Sequence, residues 1–140
     1  MDDCSLIQDR PGYCSVKACS KPLAGRRRRW CCDACGRYCQ ENHTWSAVRL
    51  AVLRRDKWAC LSCGIQVLPW DRSGASLEVN HIVPRQGAGY GRSCAHHQDG
   101  LETLCHSCHQ AETQRQRETQ QATKLQGAVR FRNPAPMLPG

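Results

Sequence analysis

The stretch that decides the fold is residues 77–90, which read LEVNHIVPRQGAGY. Apolar and polar residues alternate at its start, which predicts a strand over residues 77–83, and Pro84 ends the run before a glycine-containing turn. Asn80 and His81 lie together near the end of this strand. Because polar groups at such a position need partners, the pair marks a candidate site.

Two C-x-x-C pairs flank this stretch and predict a structural zinc site. Cys60 and Cys63 form the first pair, Cys105 and Cys108 form the second, and 41 residues lie between the pairs. Each such turn presents two thiolates at the spacing that one Zn²⁺ accepts, and two turns complete a tetrahedron. Redox chemistry would need one pair beside a βαβ pattern, which the chain lacks. The segment between the pairs is long enough for a hairpin, whose base the zinc ion would staple.

A second group of cysteines lies near the start of the chain, between residues 13 and 40, and predicts a small metal-held knuckle. Cys31 and Cys35 could lie one helical turn apart and face the same way. Cys32 and Cys39 stay open as spare thiols or alternative ligands. The four cysteines that we predict to hold a second zinc ion are Cys14, Cys19, Cys31 and Cys35.

The composition favours metal ligands over disulfides. The chain of 140 residues has 12 cysteines but one Phe and four Trp, and its mean hydropathy is −0.62, so its apolar core is small. We see neither an apolar signal segment nor a run of transmembrane length, and we expect no membrane partner. We therefore expect a reducing intracellular compartment, the cytoplasm or nucleus, rather than a secreted disulfide scaffold.

The charge of the chain points toward nucleic acid. The formal net charge is +8, but two four-cysteine zinc sites would add −8 from thiolates and +4 from zinc, which leaves about +4. The clustering of arginines therefore matters more than the total, although a charge run alone is usually a solvated face. Arg85 and Arg92 flank the glycine loop as candidate phosphate contacts. A separate run of candidate nucleic-acid contacts consists of Arg26, Arg27, Arg28 and Arg29.

Helical periodicity occurs in two places. Residues 42–56 put Trp45, Val48 and Val52 on one face, which predicts a helix that packs against the core. Residues 107–125 are polar and rich in helix-forming side chains, which predicts an exposed helix.

Two segments, EVNHIVP (78–84) and DGLETLCHSCH (99–109), resemble the motif of HNH endonucleases, the ββα-metal or His-Me finger nucleases, in their zinc-binding branch. The resemblance covers residues 58–115. The segment CSKPLAGRRRRWCCDAC (19–35) resembles a small zinc knuckle attached to some such proteins. The resemblance implies a small, metal-stapled α+β fold with a ββα nuclease core, an N-terminal zinc knuckle and a connecting helix.

The resemblance also implies roles for individual residues. His81 would be the general base, and Asn80 and His109 would hold a catalytic Mg²⁺ or Mn²⁺. The substrate would be DNA, cleaved to 5′-phosphate and 3′-hydroxyl ends. Asn80 stands where the family usually has Asp, and Gly100 stands where it usually has the Asn that orients the base. Glu78, on the same strand face as Asn80, could supply the missing charge directly or through water.

These observations divide the chain into four predicted segments: a flexible arm at 1–12, a zinc knuckle at 13–41, the nuclease domain at 42–126 and a flexible tail at 127–140. His96 and His97 lie near Cys94, where we expect a polar loop rather than a third metal site. His106 is predicted to face solvent, and His43 is assigned to the start of the helix predicted over residues 42–56.

Three functions are compatible with this pattern. The first is a metal-dependent DNA endonuclease or nickase. The second is a zinc-stapled nucleic-acid-binding module whose nuclease site has decayed, and the third is a zinc scaffold that binds protein. The presence of both His81 and His109 favours the first, because binding alone needs neither.

Overall fold

The computed structural model describes residues 4–85 and 91–132, with the backbone alone for 129–132. Over these ranges the chain has the predicted α+β class, and two strands followed by a helix form the expected ββα order. None of the described helices is both long and apolar enough to cross a membrane. The elements in chain order are α1 (Asp33–His43), α2 (Trp45–Arg55), β1 (Leu77–His81), the 3₁₀ turns Cys94–His96 and Gln98–Gly100, β2 (Leu101–Cys105) and α3 (His106–Arg132).

The two strands form an antiparallel hairpin. Its register pairs Asn80 with Glu102 and His81 with Leu101. Because side chains alternate along a strand, Asn80 and His81 belong to opposite faces of the hairpin. β1 ends at His81 rather than at residue 83, because its partner β2 begins opposite it, where a 3₁₀ turn ends.

α2 packs against the hairpin with the face that the sequence predicts. Val48 and Val52 are fully buried, and Trp45 packs against the same cluster. Burying an aliphatic side chain stabilises the fold by about 1.5–3 kcal/mol. Because this core is small for a chain of its length, we expect bound metal ions to contribute to stability as well. The cluster consists of Val48, Val52, Leu53, Cys60, Val67, Leu77, Val79, Leu101 and Leu104.

Polar contacts also fasten α2 to the hairpin. The guanidinium of Arg55 donates to the carbonyl oxygen of Leu101 (2.7 Å). The carboxylate of Asp56 accepts from the side chain of Arg55 (2.8 Å) and from the backbone N–H of Thr103 (3.0 Å). Burial would raise the pKa of Asp56, but these hydrogen bonds outweigh it and lower the pKa. The end of α2 is therefore held against β2 by a charged network.

α1 is a helix that the periodicity does not predict. We expect one helix over 42–56, whereas the structure has α1 and α2 meeting at Thr44, whose extended backbone (φ −100°, ψ 116°) separates them. His43 therefore ends α1 instead of starting a helix. The buried residues of α1 are Cys39, Asn42 and His43. Because these side chains are not aliphatic, a test of apolar periodicity does not detect the helix.

The N-terminal segment also differs from the prediction. Residues 1–12 are predicted to form a flexible arm, but Cys4 and Ile7 are buried. Ile7 forms an antiparallel bridge with Val16 and packs in a second small cluster with Cys39. The described part of this segment is therefore attached to α1.

The C-terminal helix is longer than predicted. α3 continues to Arg132, so residues 127–132 of the predicted tail are helical. The rest of that tail, 133–140, and residues 86–90 of the predicted glycine loop lie outside the described residues. The boundaries of the predicted knuckle, 13–41, and nuclease domain, 42–126, stay predictions.

Candidate active site and metal centres

The first cysteine group lies where the turn after α2 meets the junction of β2 and α3. The sulfurs of Cys60, Cys63, Cys105 and Cys108 lie within 4.8 Å of one another, and that of Cys63 is 3.7 Å from that of Cys105. In a tetrahedral zinc site with four thiolates, neighbouring sulfurs are about 3.8 Å apart, whereas a disulfide needs about 2.0 Å. The structure thus brings together the four predicted ligands, which could hold zinc.

One thiol of this group is already favoured in the metal-binding form. Burial raises the pKa of Cys60, but the backbone N–H groups of Cys63, Cys105 and Ser62 outweigh it and lower the pKa to about 6. Cys60 is therefore a thiolate at neutral pH, the form that binds zinc.

The second cysteine group joins the N-terminal loops to α1. Cys14, Cys19, Cys31 and Cys35 come together as predicted, with sulfurs 3.6 Å apart for Cys19 and Cys31 and for Cys31 and Cys35. The guanidinium of Arg10 donates to the carbonyl oxygens of Cys14 and Cys19 and so braces the loop. This group also could hold a zinc ion. The two cysteines left open by the sequence, Cys32 and Cys39, lie outside it.

A third group lies in the loop before β2. We expect a polar loop there, but Cys94 and His97 come together with Cys4 and His43, with ligand atoms within 4.8 Å of one another. Cys4 and His43 are buried. Among the described residues, therefore, three groups rather than two could hold a metal ion.

The face of the hairpin toward α3 carries Glu78 and Asn80. Glu78 accepts hydrogen bonds from Nδ1 of His106 (2.8 Å) and from Nδ1 of His109. Nδ2 of Asn80, which is 7% exposed, donates to Oε1 of Glu102 (3.1 Å). His109 therefore contacts Glu78, whereas Asn80 contacts Glu102. His106 is exposed, as predicted, although it contacts Glu78.

This face has donors that suit a hard divalent cation. A carboxylate only accepts, so Nδ1 of His109 carries the proton and Nε2 keeps a lone pair. Glu78 thereby supports His109 as carboxylates support metal-bound histidines. Asn80 donates through Nδ2, which leaves Oδ1 as an acceptor, and Glu102 adds a carboxylate. Oxygen and imidazole donors of this kind are ones that Mg²⁺ or Mn²⁺ binds together with water or phosphate, but the ligand atoms of Glu78, Glu102 and His109 do not form one of the three convergent groups of the described residues.

His81, on the opposite face, is held by two aromatic side chains. Its ring stacks on Trp45 with centroids 5.3 Å apart and planes at 14°. Its Nε2 lies 3.2 Å from Nδ1 of His96, which is fully buried. Burial lowers the pKa of His81, and electrostatic repulsion from His96 when that ring is protonated, and from Arg85, lowers it further. His81 is therefore mostly neutral at neutral pH and can accept a proton.

An open cleft of about 370 Å³ lies beside His81. Arg85 is half-buried in its wall, and a guanidinium is well suited to a phosphate group. The cleft therefore combines a neutral imidazole with a fixed positive charge. The other residues that line it are Val83, Pro84, Ser93, Ala95 and Gly100.

Arg92, the second predicted phosphate contact of the glycine loop, is used elsewhere. Its guanidinium donates to Sγ of Cys39 (3.2 Å), which lies on α1. Arg92 is also absent from the lining of the cleft beside His81. In this structure Arg92 thus contacts α1 rather than the cleft, and its role as a phosphate contact stays a prediction.

The N-terminal arginine run does not reach the cleft beside His81 either. Its four members are all exposed: Arg26, Arg27, Arg28 and Arg29. Arg26, Arg27 and Arg28 line a separate open groove with Gly25, and Arg27 pairs with Asp33 at 3.1 Å. The guanidinium of Arg29 lies over the ring of Trp30, 5.3 Å from its centroid. The run thus lies apart from the candidate base, and its role in DNA binding stays a prediction.

Sequence reasoning did not find Glu102 or the contact of His96 with His81, and it considered a third metal group near Cys94 but preferred a polar loop. The signal for Glu102 is its register position opposite Asn80, which a sequence does not give. The signal for the third group is the C-x-x-H spacing of Cys94 and His97, which is visible but lacks a second pair nearby. His96 follows from no local pattern, because its contact with His81 depends on the packing of the loop.

Comparison with known proteins supports the resemblance over part of the chain. Residues 60–115 match the family model described as HNH endonuclease. The matched segment contains the first cysteine group, the hairpin and the start of α3, and it excludes residues 1–59. Neither the search of curated proteins nor the search of solved structures gave a match. The matched domain indicates a nuclease-type or nucleic-acid-binding function.

Proposed function

We propose that this chain, whose residues 60–115 form an HNH endonuclease domain, is a metal-dependent DNA endonuclease or nickase with His81 as its general base. The observation that carries the proposal is the neutral, half-buried His81 beside a cleft that also presents Arg85. Phosphodiester hydrolysis needs a group that takes a proton from water and positive charge that balances the phosphate. His81 and Arg85 supply these two requirements.

His96 is a positioning residue in this proposal. The family usually orients the base through an Asn, whose position Gly100 occupies here. If Nε2 of His81 donates to Nδ1 of His96, then Nδ1 of His81 keeps the lone pair that accepts the proton. The stacking on Trp45 restrains the same ring. The loss of the usual Asn therefore does not leave His81 without support.

The catalytic cation would be held by His109 and Asn80, with Glu78 orienting His109. When bound, a divalent cation supplies the charge that balances the phosphate and the leaving oxygen. The two carboxylates on this face, Glu78 and Glu102, offset the charge that Asn80 lacks relative to Asp. Because β1 separates the faces of Asn80 and His81, a scissile phosphate that meets both residues would have to lie at the end of the strand.

The alternative is a nucleic-acid-binding module with a decayed nuclease site. It is favoured by the two departures from the family pattern, at Asn80 and Gly100. An amide oxygen binds a hard cation more weakly than a carboxylate does. This alternative predicts DNA binding without cleavage at any metal concentration.

The test is cleavage of supercoiled plasmid by the zinc-loaded protein, with added Mg²⁺, with Mn²⁺ and without either. We expect metal-dependent nicking, which His81→Ala reduces by about 10²–10⁴ with DNA binding nearly unchanged. His109→Ala should also stop cleavage, with partial recovery in excess Mn²⁺. Gln121→Ala, an exposed change on α3, is the matched control.

Two results would contradict the proposal. If His81→Ala nicks at the parental rate, the activity belongs to another site or to a contaminant. If the parent binds DNA but does not cleave it with either divalent ion, the binding-module function takes precedence.

A further inference from the structure

We propose that Cys4, His43, Cys94 and His97 bind a third zinc ion, which fastens the N-terminal segment and α1 to the turn that carries His96. The ligands come from three places that are distant in the chain. Cys4 lies in the N-terminal segment and His43 ends α1. Cys94 begins the first 3₁₀ turn after β1, and His97 follows that turn.

The spacing of the ligand atoms is that of a tetrahedral metal site. Sγ of Cys4 lies 3.2 Å from Nε2 of His43 and 3.6 Å from Nε2 of His97. The two Nε2 atoms are 3.1 Å apart. Ordinary zinc–nitrogen and zinc–sulfur bonds put neighbouring ligand atoms about 3.3–3.6 Å apart in a tetrahedron. Because Sγ of Cys94 also lies within 4.8 Å of these three atoms, the four side chains surround a space of about the size that zinc needs.

The hydrogen bonds behind the two imidazoles point to the same conclusion. Nδ1 of His43 lies 2.8 Å from the carbonyl oxygen of Cys39, which only accepts, so Nδ1 carries the proton. Nε2 of a neutral His43 then has a lone pair directed at Cys4 and His97. Nδ1 of His97 is 3.5 Å from the hydroxyl of Ser5. Lone pairs and a thiol that converge away from water are unfavourable without a cation. A hydrogen bond to the second ring nitrogen of a histidine ligand is also usual at metal sites.

The burial of the group favours a structural ion over a catalytic cysteine. A Cys–His pair can act as a nucleophile, but Cys4 is 2% exposed and His43 is 0% exposed. A substrate could not reach that thiol. Four protein ligands and no open position are typical of structural zinc.

Zinc at this group would fix the position of His96. The turn between Cys94 and His97 carries His96, whose Nδ1 is 3.2 Å from Nε2 of His81. With Cys94 and His97 both bound to one ion, His96 between them has little freedom to move away from His81. This consequence for catalysis rests on the proposed function, whereas metal binding does not.

The experiment counts zinc in the full chain, purified under reducing conditions, by elemental analysis and native mass spectrometry. We expect three zinc ions per chain in the parent, two in Cys94→Ser and three in the matched control Cys32→Ser, whose thiol lies 3.8 Å from that of Cys31 but belongs to none of the three groups. Replacing zinc by ¹¹³Cd²⁺ in the parent gives a second measurement that needs no variant. Two resonances should have the shift of four-sulfur sites and one that of a site with two sulfurs and two nitrogens.

A parent with two zinc ions and no mixed-ligand cadmium resonance would overturn the proposal, as would a Cys4–Cys94 disulfide. Plasmid nicking separates this failure from failure of the proposed function. If the parent holds three zinc ions but does not nick, the third site stands and the nuclease proposal fails. If the parent nicks, Cys94→Ser should nick more slowly than Cys32→Ser.

Discussion

Replacing Asn80 by Asp tests the proposed catalytic cation without relying on activity. In the parent, Nδ2 of Asn80 donates to Oε1 of Glu102 at 3.1 Å. Asn80→Asp removes this hydrogen bond and puts a second carboxylate beside Glu102. Two unit charges 3.1 Å apart repel by about 5 kcal/mol at an effective dielectric constant of about 20.

The destabilisation has an upper limit, because the new carboxyl can take up a proton instead. Raising the pKa of an Asp from about 3.9 to about 7 corresponds to about 4 kcal/mol. Since Glu102 is only half-buried, we expect metal-free Asn80→Asp to be about 2–4 kcal/mol less stable than the parent. Mg²⁺ at about 100 times its Kd would stabilise the variant by about 2.7 kcal/mol. With Mg²⁺ added, the variant should therefore regain most of the stability of the metal-free parent.

The assay is the melting temperature of zinc-loaded protein with and without saturating Mg²⁺. Asn80→Asp should melt roughly 10 °C below the parent without Mg²⁺, and with Mg²⁺ it should approach the melting temperature of the metal-free parent. Adding Glu102→Gln to Asn80→Asp is the control, because it removes the repulsion and should restore metal-free stability. The Mg²⁺ concentration for half-maximal cleavage should also fall in Asn80→Asp. If the melting temperature of Asn80→Asp does not change when Mg²⁺ is added, position 80 does not bind the cation and the reasoning is refuted.

Three further changes test other parts of the molecule. Cys105→Ser should unfold the hairpin half, seen as lost circular dichroism and one lost zinc ion, whereas Cys32→Ser should not; a folded Cys105→Ser chain with full zinc content would count against the first site. Changing all four arginines of the run Arg26–Arg29 to Gln should weaken DNA binding and flatten its salt dependence by about 0.9 per lost phosphate contact; unchanged slopes would remove this run from the interface. Asp56→Asn should cost about 1–3 kcal/mol in denaturant unfolding. Because the folded pKa of Asp56 is lowered, this difference should be present at neutral pH and shrink as the pH falls through that pKa; a constant difference would contradict the network.

Features that depend on short spacings follow from the amino-acid sequence. Cys60 and Cys63 are separated by two residues, so the covalent chain holds their thiols within reach of one ion wherever the turn lies. The same is true of Cys105 and Cys108. Alternation of apolar and polar residues likewise defined β1, and helical spacing defined the buried face of α2. Such patterns depend on residues that are close in the chain, and the tertiary packing is compatible with them without creating them.

Tertiary structure alone decided the contacts between distant residues. Glu102 meets Asn80 only through the strand register, and His96 meets His81 only through the path of the loop between the strands. Cys4 lies 93 positions from His97 in the chain, so nothing local indicates that they share a site. The helix that brings His43 to them buries Cys39, Asn42 and His43 instead of aliphatic side chains, which removes the periodicity by which sequence analysis finds a helix. These positions depend on packing interactions that many residues share. Such interactions join residues at no regular spacing along the chain, so a sequence pattern does not reveal them.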